Sequence, residues 1–185
     1  MSEKSDAQRK GALYELIPHL FDEEWVGHHN ANLLYVGARE SRIDYGTELR
    51  EAGYQITILE IYPPNVVALK NTVKWAEIVE GDVRSPPFGS DSFDVIFWWH
   101  GPEHIEIDEL EGALVELEKM ATHAVVLGCP WSTYCQGDLE GNPHECHVAH
   151  LEGPELKEMG YSICQTGTRG EPGSNIAAVK FVSPE

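Results

Sequence analysis

The segment that decides the fold runs from Gly81 to Ile105 and reads GDVRSPPFGSDSFDVIFWWHGPEHI. An acidic residue and a turn rich in proline, glycine and serine precede an apolar run from Phe93 to Trp99, and polar side chains follow that run at once. Open α/β sheets bind small ligands at the carboxyl ends of their strands. The pattern therefore predicts a buried strand whose carboxyl end opens into a site.

Six other apolar runs have the length and composition of strands: 32–37, 55–61, 76–81, 124–129, 161–168 and 176–182. Apolar residues at helical spacing separate most of them, and the clearest predicted helix covers 107–121. This alternation predicts an α/β fold with a doubly wound, mainly parallel, seven-stranded sheet. The turn residues at 169–175 predict that the last two strands form a C-terminal antiparallel hairpin.

A chain of 185 residues has the size of a single domain. The polar residues 1–11 predict a flexible N-terminus, and residues 12–185 are expected to form one domain. Apolar residues at helical spacing predict an additional N-terminal helix over 12–25. The segment 130–153 is rich in histidine, glycine, proline and aromatic residues, so we expect a long loop with a function on the substrate side.

The chain carries 31 acidic residues against 13 Lys and Arg residues, which gives a formal net charge of −18. This charge disfavours nucleic acid as a partner, because phosphate backbones are bound by basic surfaces. The sequence contains neither an apolar membrane span nor a signal-peptide core, so we expect a cytoplasmic protein. Four cysteines without a Cys-x-x-Cys pair indicate reduced thiols. Both a monomer and a homodimer are compatible with the sequence.

The central segment resembles the motifs of class I S-adenosylmethionine-dependent methyltransferases of the type 11 kind. The matching positions follow one another in the family's order: Asp82, Pro87-Phe88, Asp91-Ser92-Phe93-Asp94 and Glu103-His104-Ile105. The resemblance covers about 32–182 and implies a Rossmann-like methyltransferase fold. It also implies that the helix over 12–25 covers the cofactor.

The loop after the first strand departs from the family pattern of an acidic residue followed by three glycines. Gly37 is present and is a candidate cofactor-binding residue, because glycine lets the backbone approach a ligand closely. Tyr35 stands at the acidic position, and Arg39 and Ser41 stand at the later glycines. A dinucleotide such as NAD is a weaker alternative, since the Gly-x-Gly-x-x-Gly fingerprint is absent from the sequence.

The resemblance implies S-adenosylmethionine as the cofactor. It assigns Glu60, at the end of the second strand, to the ribose hydroxyls, and Asp82 with Val83 to the adenine amine. Ile61 offers an apolar face for adenine, and Trp98 offers a ring for the sulfonium cation. Each assignment has a plainer alternative: a glutamate that faces water, an aspartate that caps the local backbone, or a tryptophan of the core.

Three residues after the fourth strand are candidate catalytic groups. His100 and His104 titrate in the range that suits a general base, and Glu103 can orient or accept a proton. The alternative is that Glu103 and His104 serve the start of the next helix. The acceptor is expected to be a small molecule that contacts four residues of the long loop: Trp131, Tyr134, His147 and His150.

The same loop offers soft metal ligands, namely Cys135, His144, Cys146, His147 and His150. Their spacing matches no familiar zinc module, so no metal is predicted. The leading hypothesis is an S-adenosylmethionine-dependent methyltransferase of a small molecule. A non-catalytic binding or regulatory protein of the same fold is the second hypothesis, because the glycine loop is altered. A metal-assisted enzyme that uses the Cys/His loop is the third.

Overall fold

The structure is a computed structural model that describes residues 3–131, 135–171 and 173–182. Its helices are α1 (Glu3–Leu16), α2 (Glu23–His29), α3 (Gly46–Ala52), α4 (Pro63–Thr72), α5 (Ile107–Met120) and α6 (Gly153–Glu158), with short 3₁₀ helices at Pro102–His104 and Pro143–Glu145. Its strands are β1 (Asn32–Val36), β2 (Gln55–Glu60), β3 (Ala76–Glu80), β4 (Phe93–Trp99), β5 (Ala121–Pro130), β6 (Ser162–Thr166) and β7 (Asn175–Phe181). Within these ranges, no helix combines the length and the apolar character needed to cross a bilayer.

The strands form one seven-stranded sheet in the order β3-β2-β1-β4-β5-β7-β6. Neighbouring strands from β3 to β5 are parallel, whereas β7 is antiparallel to both β5 and β6. The predicted α/β fold, with its mainly parallel sheet and antiparallel C-terminal hairpin, is confirmed. The strand order reverses between β1 and β4, so the crevice that binds ligands in such sheets lies at the carboxyl ends of these two strands.

Both faces of the sheet are covered by apolar cores, which explains why β4 is apolar from Val95 to Trp99. Phe97 and Trp99 belong to the core that α1, α3 and α4 complete, whereas Ile96 and Trp98 belong to the core beneath α5 and α6. Successive side chains of a strand point to opposite faces, so the four residues divide equally. Each buried side chain of this size contributes roughly 1.5–3 kcal/mol.

Two glycines make room for the tryptophan rings at the end of β4. A Cβ atom at Gly128 would overlap the ring of Trp99, and a Cβ atom at Gly101 would overlap the indole of Trp98. The two tryptophans are 3% and 2% exposed, respectively. These glycines therefore let the indoles pack tightly against the backbone directly beneath the carboxyl edge of the sheet.

The single helix predicted over 12–25 is wrong. The structure has two helices in this part of the chain, and α1 already begins at Glu3, so the flexible N-terminus expected over 1–11 is helical from that residue. Pro18 disfavours a helical conformation of the residue before it, which accounts for the end of α1 at Leu16. The carboxylate of Asp22 then accepts hydrogen bonds from two backbone amides of the first turn of α2.

Candidate active site

A cavity of about 610 Å³ opens at the carboxyl edge of the sheet. Its volume lies in the range typical of small-molecule and cofactor sites, roughly 300–1,000 Å³. Most of the predicted site residues line it: Gly37, Glu60, Ile61, Asp82, Val83, Trp98, His100, Glu103, His104 and His147. The topology therefore brings together residues from β1, β2, β4 and the segments that follow β3 and β5.

The loop after β1 is held in place by its own side chains. Gly37 has a φ of +73° and donates its amide to the carbonyl of Leu59 at 2.8 Å. Among the described residues other than its chain neighbours, no atom lies within 4 Å of the position of a Cβ there. The hydroxyl of the buried Tyr35 donates to the carbonyl of Asp44 at 3.1 Å. The Nε of Arg42 donates to the Asp44 carboxylate at 3.1 Å. Polar side chains thus stabilise a loop that the family pattern builds from glycines.

Glu60 is buried at the end of β2, with 5% of its surface exposed, so the alternative of a glutamate facing bulk water is wrong. One carboxylate oxygen accepts the amide of Ala38 at 2.9 Å, and the other accepts the amide of Tyr62 at 2.8 Å. Burial raises the pKa of this carboxyl, while the two amides oppose the rise. The side-chain amide of Asn65 also donates to the second oxygen at 3.5 Å. A carboxylate has about four acceptor positions, so Glu60 can accept about one further hydrogen bond.

Asp82 forms an ion pair with its neighbour Arg84. The Nη2 atom of Arg84 lies 2.6 Å from one carboxylate oxygen, and the backbone amide of Arg84 donates to the other at 2.9 Å. These hydrogen bonds, chiefly those of the Arg84 side chain, lower the pKa of Asp82. The guanidinium also contacts Glu109 at 2.8 Å. Asp82 therefore caps the local backbone, as the alternative proposed, and at the same time lines the cavity.

His100 and Glu103 form a hydrogen-bonded pair at the end of β4. The Nδ1 atom of His100 lies 3.3 Å from one oxygen of Glu103, which is 3% exposed. His100 has a left-handed backbone, with a φ of 53°, and its amide donates to the carbonyl of Gly128. Burial is the largest single influence and acts to raise the pKa of Glu103, but the hydrogen bond from His100 and the charges of His100 and His104 together shift it downward. The carboxylate is therefore favoured and orients the imidazole.

The long loop is tied to this pair through the backbone of Glu103. The amides of Val148 and Ala149 donate to the Glu103 carbonyl at 3.0 and 3.1 Å. The Nδ1 atom of His104 lies 3.0 Å from the carbonyl of Cys146, and the rings of His104 and His147 meet edge to face with centroids 5.0 Å apart. His147 is thereby brought to the cavity from a distant part of the chain.

Two residues expected to contact the acceptor lie elsewhere. Trp131 is absent from the cavity lining, because its indole packs against the core beneath α5 and its Nε1 donates to Glu152 at 3.3 Å. His150 is exposed and does not line the cavity either. The prediction for Tyr134 lies outside the described residues. Within the described ranges, one group of possible metal ligands gathers, namely Glu103, His104 and His147, and it contains no cysteine.

The sequence analysis missed cavity residues from both ends of the chain. Arg9 of α1 lines the cavity and donates from Nη2 to the carbonyl of Gly173 at 3.3 Å. Ser174 and Asn175 line the same wall. Asn175 had a usable signal, because β7 runs antiparallel and therefore begins at the edge where the parallel strands end. Arg9 had none, since nothing in its local pattern indicates where α1 packs.

A known protein family matches the central part of the chain. Residues 44–125 match the family model described as a methyltransferase domain. The resemblance to class I S-adenosylmethionine-dependent methyltransferases is confirmed. This match spans the strands β2 to β4, helix α5 and the first part of β5, and it includes the segment from Gly81 to Ile105. No curated protein matches the sequence.

Three solved structures illustrate the likeness of this chain to known folds. Magnesium protoporphyrin IX methyltransferase from Synechocystis, with bound S-adenosylmethionine, is 11% identical, with a TM-score of 0.62 over 99% of this chain and 86% of that chain. A 1,6-didemethyltoxoflavin N1-methyltransferase from Burkholderia thailandensis, with bound S-adenosylhomocysteine, is 15% identical, with a TM-score of 0.62 over 98% and 77%. A Methanosarcina mazei S-adenosylmethionine-dependent methyltransferase is 15% identical, with a TM-score of 0.62 over 86% and 98%. At these identities the likeness is one of fold.

Proposed function

We propose that this protein transfers a methyl group from S-adenosylmethionine to a small molecule. The observation that carries the proposal is the position of Gly37 and Glu60 at the ends of two neighbouring strands, at the crevice of the sheet. Gly37 leaves open space where a Cβ would stand, and Glu60 is a buried carboxylate at the end of the neighbouring strand. When bound, the cofactor supplies an electrophilic methyl group on a sulfonium.

The donor half of the cavity is formed by β1, β2 and the turn after β3. The remaining acceptor position of Glu60 suits a ribose hydroxyl, and Ile61 and Val83 offer apolar walls for the adenine ring. Asp82 accepts from the adenine amine, with Arg84 holding its carboxylate in place. Trp98 is only 2% exposed, so a small part of its ring is available to the sulfonium.

The acceptor half lies around His100. With the Nδ1 proton directed to Glu103, the Nε2 atom of His100 carries a lone pair, and this atom is buried without a hydrogen-bond partner in the described ranges. His100 takes the proton from the acceptor, and Glu103 stabilises the resulting charge. Methyl transfer needs no covalent enzyme intermediate, so the alignment of the acceptor by the cavity supplies much of the rate enhancement.

Calorimetric titration with S-adenosylhomocysteine tests cofactor binding directly. Wild-type protein is expected to bind, and Glu60→Ala is expected to weaken Kd roughly 10- to 100-fold, since hydrogen bonds to a charged group contribute about 1.5–3 kcal/mol. Glu60→Gln keeps the shape of the side chain and guards against loss of folding. Glu77→Ala is the matched control, because Glu77 is exposed on the neighbouring strand β3 and lies outside the cavity. Absence of wild-type binding at about millimolar ligand, the weak end of usual substrate affinities, contradicts the proposal.

A second candidate is a binding or regulatory protein that holds the ligand without turnover. The loop after β1 favours it, since Arg39 and Arg42 line the cavity in place of a glycine-rich turn. Incubation with S-adenosylmethionine and a panel of small acceptors separates the two candidates. Release of S-adenosylhomocysteine supports the enzyme, whereas tight binding with no release across the panel supports the second candidate.

A further inference from the structure

We propose that Glu103, His104 and His147 bind a divalent transition-metal ion on the acceptor side of the cavity. Each of the three residues offers one ligand atom, and these atoms all lie within 4.8 Å of one another. All three residues line the cavity. The set joins a carboxylate and an imidazole that follow β4 to an imidazole from the long loop, and it shares one histidine with the ligands that the sequence suggested.

The buried carboxylate of Glu103 is the strongest indication of a cation. The residue is 3% exposed, and one of its oxygens is paired with Nδ1 of His100. The other oxygen, Oε2, is buried without a hydrogen-bond partner in the described part of the chain. A buried acceptor that is left unpaired costs about 1–3 kcal/mol, and more when it is charged. A metal ion bound to Oε2 removes that cost.

The orientation of His104 also suits a metal ligand. Its Nδ1 atom lies 3.0 Å from the carbonyl of Cys146, so Nδ1 carries the proton and Nε2 carries the lone pair. Histidines that bind metals almost always donate their other ring N–H to a carbonyl or carboxylate, which sets the tautomer and the ring orientation. His100 plays the corresponding part for Glu103, since it holds the oxygen opposite to Oε2.

His147 is held beside this pair by the backbone of the long loop. Its amide donates to the carbonyl of Gln136 at 3.0 Å, and the next two amides donate to the carbonyl of Glu103. Its ring packs edge to face on the ring of His104, with 5.0 Å between centroids. Ligand atoms bound to one zinc ion are roughly 3–4 Å apart, given bonds of about 2.0–2.2 Å. Metal binding therefore requires only a small contraction of the group.

The ligand set selects the class of metal. Two imidazoles and one carboxylate suit Zn²⁺, Fe²⁺ and Co²⁺, whereas Mg²⁺ and Ca²⁺ prefer oxygen ligands alone. Three protein ligands leave open positions on the ion, and all three ligand residues line the cavity. If the proposed methyl transfer holds, an oxygen of the acceptor binds there, and the acceptors are then small molecules with a hydroxyl or carboxylate group.

Titration of the chelator-treated, dialysed full chain with Zn²⁺ alone tests the site by calorimetry. We expect one Zn²⁺ per chain and little uptake of Mg²⁺. His147→Ala and Glu103→Gln are each expected to weaken Zn²⁺ binding at least ~10-fold. Loss of a residue that only supports a metal ligand already lowers metal affinity by roughly 10- to 100-fold. His150→Ala is the matched control, because His150 lies in the same loop but is exposed and outside the group. Circular dichroism verifies folding of each variant.

Titration with Co²⁺ separates the proposed ligands from the cysteines. Visible d–d absorption without a thiolate charge-transfer band is expected for nitrogen and oxygen ligands. A thiolate band, uptake that is equal in wild type and His147→Ala, or no tight uptake at all overturns the proposed site. If Glu103→Gln does not fold, His147→Ala decides alone, since this half-buried residue lies on a loop.

Titration with S-adenosylhomocysteine keeps this inference distinct from the proposed function. His147→Ala is expected to bind S-adenosylhomocysteine as wild type does, because Gly37 and Glu60 belong to the other half of the cavity. Wild-type protein that binds Zn²⁺ but not S-adenosylhomocysteine supports the metal site and contradicts the methyltransferase function. The reverse result contradicts the metal site alone.

Discussion

Replacing Gly37 with alanine is expected to weaken cofactor binding in addition to its effect on the fold. The residue has a φ of +73°, and in the described part of the chain only its own neighbours lie within 4 Å of the position that a Cβ would take. A left-handed backbone costs an L-residue about 1–2 kcal/mol, so the free energy of unfolding should fall by that amount. In a domain of this size the change corresponds to a decrease in Tm of roughly 2–8 °C.

The added methyl group also enters the cavity at the place where the proposed cofactor approaches the loop after β1. Inserting a methyl group into a closely packed contact costs about 1–3 kcal/mol. The Kd for S-adenosylhomocysteine should therefore rise roughly 5- to 150-fold in Gly37→Ala. Calorimetric titration measures the Kd, and thermal unfolding of the same samples measures the change in stability.

Gly141→Ala is the matched control for this experiment. Gly141 has a φ of +79° with equally open space around it, and it does not line the cavity. Its alanine variant should lose a similar amount of stability and keep the Kd of wild type. If Gly37→Ala binds as wild type does, or if both variants lose affinity equally, the cofactor does not approach Gly37 and the reasoning is refuted.

Three further changes test other parts of the structure. Gly128→Ala displaces the ring of Trp99 and should lower the free energy of unfolding by about 1–3 kcal/mol, with a change in tryptophan fluorescence. His19 and His123 have Nε2 atoms 2.7 Å apart, and burial lowers the pKa of both rings despite nearby carboxylates. As the pH falls below about 6.5 the unfolded chain binds protons first, so denaturant titrations should show lower stability at about pH 5 than at about pH 7.5. His100→Gln should slow methyl transfer roughly 10²- to 10⁴-fold, measured as release of S-adenosylhomocysteine, and leave its Kd within about twofold.

Each of these changes has a contrary result. Unaltered stability and fluorescence in Gly128→Ala would mean that the Trp99 ring does not pack against that backbone. Equal acid sensitivity of wild type and His123→Phe would assign the loss of stability to other groups. A normal rate of methyl transfer in His100→Gln would show that the acceptor arrives deprotonated or loses its proton to another group.

Local patterns were sufficient to predict the framework of the site. The bounds of β4, Phe93–Trp99, agree with the predicted strand, because the part that is buried on both faces, Val95 to Trp99, must be apolar. Gly37 directly follows β1, and Glu60 is the last residue of β2. Their position in the cavity could therefore be predicted from the parallel arrangement of these strands. The single helix over 12–25 was predicted wrongly, since helical spacing of apolar residues continues across Pro18 although the helix does not.

The chain's own residues, taken in order, determined which elements form, how they alternate and which side chains stand at strand ends. These features depend on hydrogen bonds and side-chain periodicity within a few residues, so they can be read locally. Tertiary packing alone decided that Arg84 pairs with Glu109, that Trp131 turns to the core, and that His147 meets Glu103 and His104. Such contacts depend on the path of loops, and that path is set by which distant backbone groups bond to each other, as the amides of Val148 and Ala149 do with Glu103.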